Sequence, residues 1–372
     1  MYRARYNDIP QALRMYKHAS EIAEKAGDTV QQCLALNRTA LAKWQLGEYH
    51  EGLMQTQEAE RRAKLGGDFF GEANAIRIAA MCCISLGDFK RSATLCADGR
   101  KLLVACGLQG GYLDLLLMSS EADTLFSKSE YAEARKVRVD LAHKNPPDIS
   151  PASHAYALCS VAAIDIATRV DQQDVRKSLD FAKSLVVAIP YPRGIMICDV
   201  ITNDLDLREG RVQEAKQFYQ QCFTSCQTTD DEMSAACLEK LGDIGYAMHT
   251  LESTFRWAVV ALVYSLRCRN GLAIYHAFRC LGDIFVTEKD ETMALSLFGV
   301  ALDGYTLMDI HQRKGECMVR IGDIHKHQNE VARGVEMWKA ALPMFAKSLQ
   351  APQAARTEEK LRLEGIEIDG AQ

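Results

Sequence analysis

The tetrapeptide Leu-Gly-Asp-Ile stands at 241–244, returns at 281–284 and recurs as Ile-Gly-Asp-Ile at 321–324. Glycine inside a helix costs about 1 kcal/mol relative to alanine. Three evenly spaced glycines in helical surroundings, Gly242, Gly282 and Gly322, therefore demand a packing reason. A second echo travels with the first: Val-Ala-Leu at 260–262 and 300–302 becomes Ala-Ala-Leu at 340–342. A turn separates the two marks, so each unit reads as a helix, a short break and a second helix. Self-similarity at a period of roughly 20–50 residues is the signature of a repeat architecture, and here the period is about 40 residues.

A landmark just inside the second helix of each unit extends the period along the chain, falling at Ile9, Tyr49, Phe89, Tyr131, Val175, Val212, Leu251, Glu291 and Val331. Turn signals precede several of these marks: LGEY at 46–49, LGDF at 86–89, SKSEY at 127–131 and REGRV at 208–212. Within a unit, Ile274, Phe278, Leu281 and Phe285 follow helical spacing along a first helix, and Ala294, Phe298, Ala301 and Tyr305 do so along a second. AGD at 26–28, GGD at 66–68 and RNG at 269–271 place Gly or Asn where a helix end needs a left-handed residue. No segment alternates as a strand does.

The unit Leu281, Gly282, Phe285, Ala294, Phe298, Ala301 resembles the tetratricopeptide repeat (TPR) signature, and Ile321, Gly322, Gly334, Trp338, Ala341 matches it with one Ala replaced by Gly. The first unit keeps Ala12, Tyr16 and Ala19, while Ala40 and Ala80 hold the Gly position in looser units. The units from 131 to 190 fit worst. The resemblance implies an all-α, right-handed α-solenoid of about eight to nine antiparallel helix pairs over 1–349, with a capping helix and frayed tail over 350–372. It also supplies the packing reason. Two helices approach closely only where the crossing residue is small, and Gly282, Ala294 and Ala301 are small where the family's helices cross.

At the start, MYRARYND leaves room for only the tail of a first helix before Ile9. The expectation is a truncated first helix, in a fragment or a gene product begun late; the alternative is a short cap. NPPDISP at 145–151 and IPYPRG at 189–194 hold most of the prolines and are expected between units, as a kink or as a ligand loop.

Chemistry is sparse. The dipeptide Gly-Lys does not occur, so there is no Walker A loop, and there is no G-x-G-x-x-G, C-x-x-C or H-E-x-x-H. Cys222 and Cys226 lie one helical turn apart with no nearby pair to complete a tetrahedral metal set; packing is the simpler reading. His325 and His327, two apart, point to different sides of a helix. No catalytic residues, cofactor or metal ligands are expected. The formal charge of −5 gives no general reason for nucleic-acid or membrane binding. Among the thirteen cysteines, Cys33, Cys82, Cys96, Cys159, Cys198, Cys237, Cys280 and Cys317 sit in apolar helical patterns, where thiols act as small hydrophobes. A cytoplasmic protein is the expectation.

In the TPR family, first-helix residues line a groove that binds peptides or proteins. That resemblance places Asp123, Asp204, Asp243, Asp283 and Asp323 next to the small crossing residue, with Asn37, Arg38, Trp44, Asn74, Arg77, Tyr246, Arg279 and Arg320 nearby. Such rows either grip a mixed-charge partner or pair internally, as Arg279 and Asp283 would at i, i+4. The lysine-and-asparagine clamp of TPR domains that hold chaperone tails is missing. The long repeat units and the Gly-Asp turns look similar to the TPR arrays of STAND-type NTPases, common in fungi. That likeness implies a sensor arm whose nucleotide chemistry lies in an N-terminal domain outside this chain. A self-contained cytosolic adaptor or scaffold is the alternative.

Overall fold

A computed structural model describes residues 8–169, 172–189, 191–228, 230–248 and 250–366. The expected truncated helix before Ile9 falls on residues 1–7, and most of the frayed tail on 367–372; both lie outside the described residues. Among the described residues there are eighteen helices and no strand. In chain order these are α1 (Ile9–Ala26), α2 (Thr29–Gln45), α3 (Tyr49–Gly66), α4 (Phe69–Leu86), α5 (Phe89–Ala105) and α6 (Tyr112–Ser127). There follow α7 (Tyr131–Lys144), α8 (Pro151–Thr168), α9 (Gln172–Ala188), α10 (Pro192–Arg208), α11 (Val212–Cys226) and α12 (Asp231–Ala247). The last six are α13 (Leu251–Cys268), α14 (Gly271–Thr287), α15 (Glu291–Leu307), α16 (His311–His327), α17 (Val331–Lys347) and α18 (Ala351–Leu363).

Eight of the nine landmarks coincide with the first residue of a helix; the exception, Val175, lies three residues inside α9. The chain divides into two compact units. One comprises Met1–Thr124, Glu133–Cys237 and Cys268–Asn270, the other Leu125–Ala132, Leu238–Arg267 and Gly271–Gln372. Within each, successive helices stack as an all-α repeat solenoid.

Helix ends follow one rule. A left-handed residue closes the turn at Gly27, Gly47, Gly67, Gly87 and Gly107, then at Arg269, Lys289, Asp309, Asn329 and Leu349, evenly spaced in each run. The residue after it often caps the next helix: the side chains of Asp28, Asp68, Asp88 and Asp290 accept from backbone N–H groups three residues on. RNG departs from expectation. Arg269, with φ of 54°, takes the left-handed place because α13 ends at Cys268, and Gly271 opens α14 instead. The proline-rich segments do fall between helices, and Pro151 and Pro192 open α8 and α10, where a missing N–H costs nothing.

Packing answers the glycine question. A Cβ on Gly282 would lie 2.6 Å from Phe298 Cε1, and one on Gly322 would lie 2.7 Å from Trp338 Cδ1; both rings are buried. Gly242 has no aromatic opposite it and would meet Cys280 Sγ at 3.3 Å. Ala294, Phe298, Ala301 and Tyr305 are fully buried, as their spacing predicts, and so are Ala40 and Ala80. The eight cysteines placed in apolar patterns are all buried. Ala19, by contrast, is exposed.

The first-helix pattern needs a correction. Ile274, Phe278 and Phe285 are only half-buried, whereas the polar His276, Arg279 and Asp283 of the same helix are buried. Amphipathicity assumes one wet face, but a first helix in a stacked array is flanked on both sides. α4 shows the same covering: it is long and apolar enough to cross a membrane, yet half of it is buried in the packing.

Candidate recognition site

The candidate residues separate into two groups with different electrostatics. In the second unit, first helices α12, α14 and α16 carry a closed network of charges. Arg279 donates from Nη1 to Asp283 Oδ2 at 2.7 Å and from Nη2 to Asp243. Arg320 Nε donates to Asp283 Oδ1 at 2.6 Å, and Arg313 reaches Glu239 Oε1 at 2.7 Å and Glu316 Oε2 at 3.3 Å. Burial alone would raise Asp243, but the charges of Arg279, His276 and Arg313 outweigh it and hold its carboxyl well below the carboxylate range. Tyr246 is pushed up by burial and by the nearby Asp283.

The remaining aspartates repeat two spacings. Asp123 accepts from Arg138, Asp204 from the Tyr219 hydroxyl at 2.8 Å and Asp323 from Trp338 Nε1 at 3.0 Å, each donor 15 residues on. Asp243, Asp283 and Asp323 accept from Arg279, Arg320 and Lys360, 36 or 37 residues on. The aspartate row thus serves as internal ties between helices. Glu239, His276, Arg313 and Glu316 complete the network and were not singled out in the sequence. Their signal was available: Glu239, His276 and Glu316 each precede Asp243, Cys280 and Arg320 by one helical turn.

His276 is 3% exposed and faces Glu239 (3.4 Å), Asp243 (3.6 Å), Arg279 (3.1 Å) and Cys280 (3.4 Å), with the Arg313 charge also acting on it. Burial, helped by Arg279, pulls the imidazole down to about 4 against the opposing pull of Glu239. The unfolded chain, titrating near 6.5, therefore takes up the proton first. The stabilisation is complete above pH 6.5 and falls away as pH drops towards 4, by about 3 kcal/mol. Melting curves between pH 7 and 4.5 should show this loss in the native chain and not in His276→Gln. Parallel losses in both would place the pH response elsewhere.

The first unit differs. Asn37 is buried, and its Nδ2 donates to the Gly71 carbonyl at 3.0 Å, a strut between α2 and α4. Trp44 Nε1 donates to Ser85 Oγ at 2.9 Å, and the Arg193 guanidinium lies 5.3 Å from the indole centroid. Arg77, half-buried on α4, donates from Nε to Asn74 Oδ1 at 3.2 Å and from Nη1 to Met81 Sδ at 3.0 Å. Among the described residues, no carboxylate lies within ion-pair distance of Arg77 or Arg38. Burial pulls Arg77 down to about 10, with the Arg38 charge adding to the effect, and it stays charged at neutral pH. Where every arginine of the second-unit network has an acid, these two cations have none in range among the described residues.

The metal reading also changes. Cys237, on α12, joins Cys222 and Cys226 in a group whose sulfurs lie within 4.8 Å of one another. His325 and His327 do point apart, to Glu330 and Glu291.

The chain matches no protein-family model and no curated protein. Its fold class, an all-α repeat solenoid, is that of TPR-type helical repeat proteins, as solved structures bear out. One is a Rap protein complexed with competence and sporulation factor: 12% identity and a TM-score of 0.57, covering 89% of this chain and 97% of that one. Another is a signal transduction ATPase with numerous domains (STAND) with a tetratricopeptide repeat sensor, from Pyrococcus horikoshii. It shares 12% identity at a TM-score of 0.51, covering 86% of this chain and 54% of that one. At such identities the likeness speaks for the fold alone.

Proposed function

We propose that this chain is a non-catalytic recognition module that binds a peptide or protein partner, and that Arg38 and Arg77 grip an anionic group of that partner. One observation carries the reading: a half-buried guanidinium with no acid in ion-pair range among the described residues, beside a second cation, on first helices of adjacent repeats. Desolvating a charge without a counter-charge is costly, and a carboxylate brought by a partner removes that cost through charge-assisted hydrogen bonds. Asn37, donating to the Gly71 carbonyl, ties together the two helices that present this site. Thirteen cysteines outside disulfides suit a reducing, cytoplasmic setting.

The module is further read as the sensor arm of a STAND-type NTPase. The long repeat units support this, as does the likeness to the Pyrococcus protein, of which the chain covers about half. Sequencing the transcript upstream of Met1 tests it: an in-frame segment encoding Gly-Lys-Ser or Gly-Lys-Thr is expected. A stop codon close upstream would leave a free-standing adaptor.

The anchor is tested with a displayed library of random peptides bearing free C-terminal carboxylates. Peptides enriched on the native chain should bind Arg77→Ala about 10- to 100-fold more weakly, the range for losing a hydrogen bond to a charged group. Arg333→Ala, an exposed change on α17, should bind as the native chain does. Equal affinity for Arg77→Ala and the native chain would remove Arg77 from the site.

A further inference from the structure

Cys222 and Cys226 stand one turn apart near the end of α11, and Cys237 faces them from α12. The three are 7%, 2% and 0% exposed, and their sulfurs lie within 4.8 Å of one another. We infer that these three thiols form a binding site for one soft metal ion, Cu(I), held by three thiolates.

The donor set selects the ion. Thiolates favour Cu(I), Zn(II) and iron–sulfur clusters over hard cations. Structural zinc takes four nitrogen or sulfur ligands, and among the described residues no fourth His, Cys, Asp or Glu joins this group within the same span. Asp230, four residues beyond Cys226, is engaged elsewhere. Its Oδ1 accepts the Met233 N–H at 3.1 Å, and its other oxygen accepts from Arg193. Three sulfurs, with no fourth such donor among the described residues, make a trigonal set, which Cu(I) accepts. Metal–sulfur bonds of about 2.3 Å put trigonal sulfurs about 4 Å apart, so the cluster closes by under about 1 Å. Ser234 Oγ, 3.2 Å from Cys226 Sγ, can donate to the thiolate by turning its proton away from the Asp230 carbonyl, which it now meets at 2.9 Å. Binding breaks three S–H bonds and forms three Cu–S bonds, releasing three protons with no change of oxidation state.

Other clusters offer less. In the Asp243, His276 and Cys280 group, the carboxylate is committed to Arg279. In the Glu130, Asp309 and His311 group, both acids face Lys128. The three-thiol site offers three sulfurs and ties α11 to α12 across their connection. Filling it should therefore raise the melting temperature.

The full chain, reduced and metal-free, is titrated anaerobically with Cu(I) against the chelator bicinchoninate. The native chain should withdraw one Cu(I) that Cys237→Ala holds at least tenfold more weakly. Cys159→Ala, which alters a separate thiol pair 3.3 Å apart, should bind as the native chain does. Circular dichroism checks that each variant folds, and Cys222→Ala, at the most exposed of the three cysteines, stands in if Cys237→Ala does not. X-ray absorption on the native chain needs no substitution and should show three sulfurs around copper. Undiminished affinity in a folded Cys237→Ala or Cys222→Ala would overturn the site, as would the absence of a tightly held Cu(I) in the native chain. A preference for Zn(II) with an oxygen or nitrogen in its shell would overturn the assignment to Cu(I).

Discussion

Gly322→Leu should lower stability by about 3 kcal/mol, seen as an earlier midpoint in denaturant melts followed by circular dichroism. A Cβ at this position would stand 2.7 Å from both Cδ1 and Nε1 of Trp338 and 2.9 Å from the Gly334 carbonyl oxygen. The carbonyl is backbone and cannot step aside without moving α17. The indole is 1% exposed and tied by Nε1 to Asp323, so it has no other place to go. Gly282→Leu, against the fully buried ring of Phe298, should fall in the same range. Gly242→Ala is the control, since its nearest contact is the Cys280 sulfur at 3.3 Å, and a change under about 1 kcal/mol is expected. If all three variants melted together with the native chain, the helices would be free to part at these crossings.

Asp283→Ala should cost about 3–5 kcal/mol, the range for removing one partner from a buried ion pair. The carboxylate is 2% exposed and holds two guanidiniums, Arg279 at 2.7 Å and Arg320 at 2.6 Å. Without it, among the described residues, Arg279, 4% exposed, keeps only Asp243 within ion-pair distance, and Arg320 keeps the Glu316 carbonyl at 3.2 Å. The triple change Asp283→Leu, Arg279→Met, Arg320→Leu should recover much of the loss, because apolar packing avoids desolvating charge altogether. Asp323→Ala provides a scale: its carboxylate is 44% exposed, and its loss should cost nearer 1 kcal/mol. A small effect for Asp283→Ala would mean that water reaches the two arginines.

Much of the architecture was legible because packing forces it into the residue pattern. Gly282 against Phe298 and Gly322 against Trp338 are short-range pairs within one repeat, so their spacing recurs and can be read. The Gly-Asp turns at 27–28, 67–68 and 87–88 were legible for a similar reason: glycine adopts the left-handed conformation freely, and aspartate caps. Arg269, Lys289 and Leu349 take the same conformation with ordinary side chains, at a cost of about 1 kcal/mol each, and nothing in their identity announces it. The burial of His276 was hidden for another reason. Arg313 reaches Glu239 across 74 residues, nearly two repeats, and no local periodicity carries such a contact. Cys237 joined Cys222 and Cys226 across a helix connection in the same way. Arg38 and Arg77 were legible as residues, but the absence of a nearby acid among the described residues is a property of the fold.

The left-handed turn, repeated at each helix end of a run, makes no distinction between the inside of a repeat and the joint between repeats. The aspartate ties do distinguish them, reaching their cations 36 or 37 residues ahead, nearly two helices away. Growth or loss of the array by unequal exchange is therefore quantised. Adding one whole helix pair returns these acids to a cation and every first-helix residue to its own side. Losing a single helix would splice cleanly at the turn and still send each later helix to the opposite face.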